Sequence, residues 1–577
     1  MVRPPPKIMT RCLITLWLAL ATSFAFAQTL SPFASGVWSG NVTPTSASVV
    51  VRLNTAGVRV RLQISPNQAL TPAIFSAIAT TAVASGNTLT LSVQGLQPDT
   101  DYFYGIEVAG VLRVEPISRG RLRTFPLGRG SFKIAFASCS DYRKPDQRAF
   151  DAIAAERPLM FIHTGDLHYN DTNSTNVDDY RANYDAVLNH PVQSALYRNM
   201  ALAYMWDDHD FSGNDSDTTA IGRESARTVY KERTPHYPIA AAGGPVAQAF
   251  TIGRARVIMT DNRSAAVPPS TRESATKTRL GATQKAWFKQ ELINARDAGF
   301  PLVLWVCSQP WIATADLGAD HWGGYTTERA EIANFIRDNH ITNLVLLSGD
   351  MHGLAYDDGT NSDYASGGGA PLTVLQAASL THTGETKGGP YVKGPFLDGL
   401  QYGILEVFDS GGPSVACRFT GKKVGEGEKI NYIFSSSAAG SASAALSNIS
   451  MLARVAGGDD ALTSGFVISG TTPRQVLVRA VGPSLAGFGL TDALENPQLA
   501  IFKGSDEIRR NEGWGQDPEV IKSLTEIFDR SGAFRLMEGA SHDAALVLTL
   551  QPGVYTMRVK STDGKPGAAL LEVYDVP

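Results

Sequence analysis

At 577 residues the chain is too long for one ordinary domain and has room for two to four. With 43% hydrophobic and 18% charged residues it has the make-up of packed globular domains, which excludes a disordered chain. A formal net charge of -4 argues against a surface devoted to following a polyanion, so no sequence-specific nucleic-acid binding is expected.

Residues 1–27 read as a secretory signal peptide: Arg3, Lys7 and Arg11 precede the apolar run from Cys12 to Ala25, and Ala25, Phe26 and Ala27 form a small-x-small cleavage site. The mature chain is therefore expected to be exported, secreted or periplasmic, with no membrane span after signal removal. Cys139, Cys307 and Cys417 then remain, too few for a disulfide scaffold. A single Cys307–Cys417 bridge stays open, with buried free thiols as the blander alternative.

Residues 28–127 alternate apolar and polar side chains, as in Val58 to Ile64 and Leu89 to Val93, which predicts a half-buried antiparallel β-sandwich. The stretch Leu96 to Tyr102 resembles the tyrosine corner of fibronectin type III domains, so this front domain is expected to be fibronectin III-like. From 128 to 420 apolar strands alternate with helical stretches. Gln147 to Glu156, Thr283 to Ala298 and Thr326 to Arg337 carry apolar residues at three-to-four spacing, which predicts an α/β or α+β layered core. Composition marks 421–447, with its run of Ser and Ala from Ser435 to Ala444, as a linker. Residues 448–577 alternate again, in Val476 to Ala480 and Val554 to Val559, and are expected to form a C-terminal all-β module. It resembles modules appended to secreted proteins of environmental bacteria, for which surface-polymer binding and a role in export are the two expectations.

Chemistry gathers where the core strands stop. The run Lys133 to Ala137 ends in Ser138, Cys139, Ser140 and Asp141; Leu159 to Thr164 ends in Gly165, Asp166, His168 and Tyr169. The run Ala201 to Trp206 ends in Asp207, Asp208, His209 and Asp210, followed by Asn214 and Asp215, and Asn343 to Ser348 ends in Gly349, Asp350 and His352. Two further strands end in Asp261, Asn262, Arg263 and in Cys307, Ser308, Gln309. Ligands of layered α/β proteins lie beyond the carboxyl ends of strands, so these clusters are expected to meet in one crevice. His163 and His168 read more readily as hydrogen-bonded structural histidines than as ligands.

Those four motifs in that order resemble the PhoD-like alkaline phosphatase/phosphodiesterase family of the calcineurin-like metallophosphatase superfamily. The resemblance covers the middle half of the chain and implies a four-layer metallophosphatase core that hydrolyses phosphate esters, at alkaline pH, with metal-activated water. It implies that Cys139, Asp166, Tyr169 and His352 hold Fe3+, with Asp166 bridging to Ca2+ ligated by Asp208 and Asp350 and, more weakly, Asn214. It also implies that His209 binds the scissile phosphate or protonates the leaving alcohol. Arg263 is placed as a clamp on a non-bridging oxygen, with a salt bridge as the equal alternative. Two rival readings are a purple-type acid phosphatase, which Cys139 and Asp350 disfavour, and a non-catalytic exported binding protein with a structural metal site.

Overall fold

The computed structural model describes residues 31–576 apart from 242, 385–386, 439–447, 469–472, 516, 538–541 and 552. The expected signal peptide and residues 439–447 of the expected linker lie outside the described residues. Among the described residues five sheets account for the strands, and the chain is multidomain, a mixed α/β body with additional all-β regions.

Two sheets carry the site. In the first, Phe132–Ala137, Met160–His163 and Ala201–Tyr204 pair in parallel. In the second, Ala255–Thr260, Leu302–Cys307 and Leu344–Ser348 do the same. Their sequences are short apolar runs without alternation, such as Leu-Val-Leu-Trp-Val-Cys at 302–307, and every residue of that strand is buried. The reason is that both faces are covered. Leu302, Leu304 and Val306 share a core with Phe136, Ile162 and Leu202 of the first sheet. Val303, Trp305 and Cys307 instead pack with Phe288 and Leu292 of the helix Ala282–Asp297 and with Ile332 and Ile336 of the helix Thr326–Asp338. Parallel pairing also aligns the strand ends. Ala137 lies beside His163 and His163 beside Tyr204, as Thr260 lies beside Cys307 and Cys307 beside Ser348.

The first sheet continues into the front of the chain. Trp38–Gly40 pairs in parallel with Ala201–Tyr204, with Ser39 opposite Ala201 and Gly40 opposite Leu202. Ser46–Arg52 and Thr88–Gln94 extend it to the edge. A second front sheet is built on Arg59–Ser65 and Asp101–Val108, and there the Gln97 N–H donates to the Tyr102 hydroxyl at 2.8 Å.

At the other edge the structure corrects the expected linker. Ser414–Lys423 and Gly427–Ser437 are antiparallel strands of the same sheet. Ile430, Tyr432, Phe434 and Ser436 fall on its more buried side, and the serines that made 435–437 look like spacer complete that alternation. The C-terminal module holds two four-stranded sheets that pair only within themselves, around Val476, Leu499, Met557 and Val573. A helix that the alternating pattern did not announce, Pro518–Ser531, packs Leu524 and Phe528 against Leu477 and Trp514. Cys139, Cys307 and Cys417 are all buried free thiols, so the Cys307–Cys417 bridge is not formed. Among the described residues no helix is long and apolar enough to cross a membrane.

Candidate metal centre

Each site-bearing strand turns sharply as it ends. Cys139, Asp166, Asp350 and His352 all stand at positive φ, 64°, 55°, 61° and 53°, a left-handed conformation that costs a non-glycine residue about 1 kcal/mol or more. Bonds between loops hold the turns. The Cys139 and Ser140 N–H groups donate to the carbonyls of Gly165 and Asp166 at 3.1 and 2.8 Å, and the Asp350 N–H donates to Ser138 Oγ at 3.1 Å. Strained backbone thus gathers metal-capable side chains around Asp166.

There the Cys139 thiol donates to Asp166 Oδ2 at 3.4 Å and the Tyr169 hydroxyl to the same oxygen at 3.0 Å. Tyr169 Oη lies 3.1 Å from His352 Nε2, and the candidate ligand atoms of Cys139, Asp166 and His352 lie within 4.8 Å of one another. Asp166, Asp207 and Asp350 meet the same limit, as do Asp166, Asp208 and His209. Asp166 is the shared member. Its Oδ1, with Asp350 Oδ2 and Asp207 Oδ2, is buried and has no hydrogen-bond partner.

Buried acids without partners are costly. Burial first, and then the charges of Asp208, Asp210 and Asp350, push the Asp166 carboxyl well above the usual carboxylate range. Burial and the nearby Asp166 likewise raise the Cys139 thiol and the Tyr169 phenol. Burial also opposes the charge on Asp208, yet Arg263, His209 and Lys387 bring it below its ordinary range. A cation placed among Asp166 and its neighbours would relieve that repulsion and satisfy the orphan oxygens. On both counts these side chains fit metal ions.

The remaining expected site residues sort by contact. His209 Nδ1 lies 2.5 Å from Asp171 Oδ1, and its ring packs on Tyr169 with centroids 4.0 Å apart. Asn214 is exposed; on the same turn the Asp215 N–H donates to Asp208 at 2.8 Å, and the Asp215 carboxylate groups with Asp208 and Asp320. For Arg263 the structure favours the salt-bridge alternative over the clamp: its side chain is 1% exposed and donates to Asp207 at 2.5 Å and Asp320 at 2.7 Å, with Asp208 3.7 Å away, so its donors are engaged by acids of the site. His163 and His168 are buried, and burial drives both to about 3, so they are neutral. His163 Nε2 meets Ser140 Oγ at 3.2 Å; at His168 it is the backbone N–H that donates to Asp210, at 3.2 Å, while its ring Nδ1 is buried without a hydrogen-bond partner.

Sequence reasoning missed four members. Asp171 pairs with His209, Asp320 receives Arg263 and Arg279, His382 packs on Tyr169 with centroids 4.1 Å apart, and Lys387 donates to Asp350 at 2.7 Å. His382 and Lys387 follow Thr373–Ala377, a strand parallel to Leu344–Ser348. Its apolar run and polar sequel were the available signal.

The family model of the PhoD-like phosphatase matches residues 134–389, and that of the PhoD-like phosphatase N-terminal domain matches 19–126. Alkaline phosphatase D of Bacillus subtilis (strain 168) is 23% identical over 381 residues, which cover 56% of this chain and 64% of that protein's length. A solved structure of PhoD superposes with a TM-score of 0.57 at 18% identity, covering 71% of this chain and 91% of that one, a likeness of fold. The two models span the front domain and every strand end that supplies a candidate ligand, and the chain belongs to the PhoD-like phosphatase family.

Proposed function

We propose that the chain is an exported, metal-dependent phosphoesterase that hydrolyses phosphate esters. One observation carries the reading: Cys139, Asp166, Tyr169 and His352, drawn from three strand ends, converge on one point, and Asp166, whose Oδ1 is buried without a partner, also groups with Asp208 and with Asp350. Metal ions bound there would supply positive charge to the phosphoryl oxygens and an acidified water for attack on phosphorus.

The chain's own groups divide the remaining work. Thiolate, phenolate, carboxylate and imidazole suit ferric iron, and the oxygen-rich set of Asp208 and Asp350, with Asp166 shared, suits calcium. Asp171 engages Nδ1 of His209, which leaves Nε2 as the nitrogen to give a proton to the departing alcohol. Tyr169 packs between His209 and His382 and fixes both rings at the mouth. The Tyr102 hydroxyl bond supports a fibronectin III-like front domain, and helices outside two facing sheets support a core of the four-layer type. Export rests on the signal-like residues 1–27.

The test is metal analysis of the purified chain, with hydrolysis of p-nitrophenyl phosphate and bis-p-nitrophenyl phosphate before and after chelation. Turnover of at least one ester that chelation removes and metal restores is expected. Full metal loading with no turnover of either would overturn the reading.

A further inference from the structure

A phosphate ester brings negative charge to a site already crowded with carboxylates, and it needs a cation on the side from which it enters. Arg263 and Arg279 do not serve. Both side chains are 1% exposed and donate to Asp320. Arg143 is exposed, but its fork is taken by the Asp141 carboxylate and the Tyr169 carbonyl. Lys387 is placed differently. Its Nζ lies 2.7 Å from Asp350 Oδ1 with the side chain 35% exposed, whereas Asp350 is 2% exposed, so the lysine joins the buried cluster through a side chain that is itself partly in solvent. Asp208 and Asp320 also act on it at longer range.

The backbone explains how the lysine is held. Gly388 and Gly389 follow it at φ 96° and 108°, the Gly389 N–H donates to the Ile312 carbonyl at 2.7 Å, and a Cβ at Gly388 would collide with that carbonyl. The main chain is clamped, and the ammonium is carried on a four-carbon stem whose bonds can rotate.

We propose that Lys387 is the substrate-recognition cation of this site, moving from Asp350 to a non-bridging phosphate oxygen once Asp350 is engaged by a metal ion. The inference rests on the phosphoesterase reading and assigns to Lys387 the part that Arg263 cannot play. It requires no bond to form or break, only exchange of one charge-assisted contact for another.

The experiment uses the full metal-loaded chain with Lys387→Met, which keeps the stem, and Lys387→Arg, which keeps the charge. Calorimetric binding of inorganic phosphate and metal content are both measured. Lys387→Met is expected to weaken phosphate binding about 10- to 100-fold at unchanged metal content, and Lys387→Arg to recover most of it. Wild-type phosphate affinity in Lys387→Met overturns the proposal. So does loss of metal in that variant, which would make the lysine a support for Asp350 alone. If the wild-type chain hydrolyses either ester while the methionine variant binds phosphate normally, only the lysine assignment falls. If the loaded wild-type chain neither binds phosphate nor turns over ester, the phosphoesterase reading falls with it.

Discussion

Asp166 concentrates the energetic problem of the site in one side chain. It is 1% exposed, one of its oxygens has no partner, and neighbouring carboxylates raise its cost further. Asp166→Asn removes that charge at nearly constant volume. The metal-free variant should therefore melt at or above the temperature of metal-free wild type, while the purified variant loses bound metal and turnover by more than about 100-fold, the ceiling for residues that only orient ligands. Thermal scans with and without chelator and metal analysis check both halves. A variant that keeps its metal and its rate would remove Asp166 from the centre. His163 makes a separate prediction. Burial depresses it to about 3 in the folded chain, against about 6.5 when unfolded, so below pH 6.5 the unfolded state takes the proton first. Its contribution to stability is full above pH 6.5 and declines as pH falls toward 3, by about 1.4 kcal/mol per pH unit. Between pH 6.5 and 5 the stability difference from His163→Gln should shift by about 2 kcal/mol in the variant's favour, read from denaturant midpoints. Cys139, Asp166, Asp208, Asp350 and His352 were legible because each follows an apolar strand within a few residues. His382 and Lys387 also follow an apolar strand, Thr373–Ala377, but five and ten residues beyond it, and Asp320 follows no strand so closely, so their arrival at the site depends on the course of loops in the finished fold.

Strands and helices were legible to the degree that their pattern is local. The helices Arg148–Glu156, Ala282–Asp297 and Thr326–Asp338 lie within one residue of the spans their apolar spacing predicts at each end. The strand Gly427–Ser437 was hidden by its serines, and nothing local marks Trp38–Gly40 as a parallel neighbour of Ala201–Tyr204, more than 150 residues away. That junction depends on Gly40. A Cβ there would collide with the carbonyl oxygens of Leu202 and Pro235, which are backbone atoms and cannot rotate aside. Gly40→Val should therefore lower stability by about 3 kcal/mol or more, at the upper end for overpacking. Gly487→Ala, where an added methyl meets nothing within 4 Å, is the control and should leave it unchanged. Urea midpoints of the two variants decide the matter, and equal midpoints would show that the front strands are not anchored through this contact.

Taken as a whole, the chain carries its candidate site on the strands before Ser437 and a further set of sheets after it. Among the described residues the site-bearing sheet ends at Ser437, and the eight strands from Asn448 to Asp575 pair only among themselves around their own apolar core. That core has its own internal lock. Arg479 is 0% exposed, paired with Glu572 and lying over the ring of Phe534 at 4.4 Å, and Tyr574 Oη donates to Glu572 at 2.7 Å. A buried ion pair of this kind costs about 3–5 kcal/mol when one partner is removed, because the other charge stays behind without compensation. Arg479→Met should accordingly destabilise the module from 448 to 577 while leaving the phosphoesterase rate and the metal content of the full chain at wild-type values. Scanning calorimetry of the wild-type chain should show two transitions, only one of which moves in the variant. A chain ending at Ala438 should retain the unmoved transition and full turnover. One cooperative transition shifting together with the rate would instead mean that the rear module and the metal-bearing body hold each other in place.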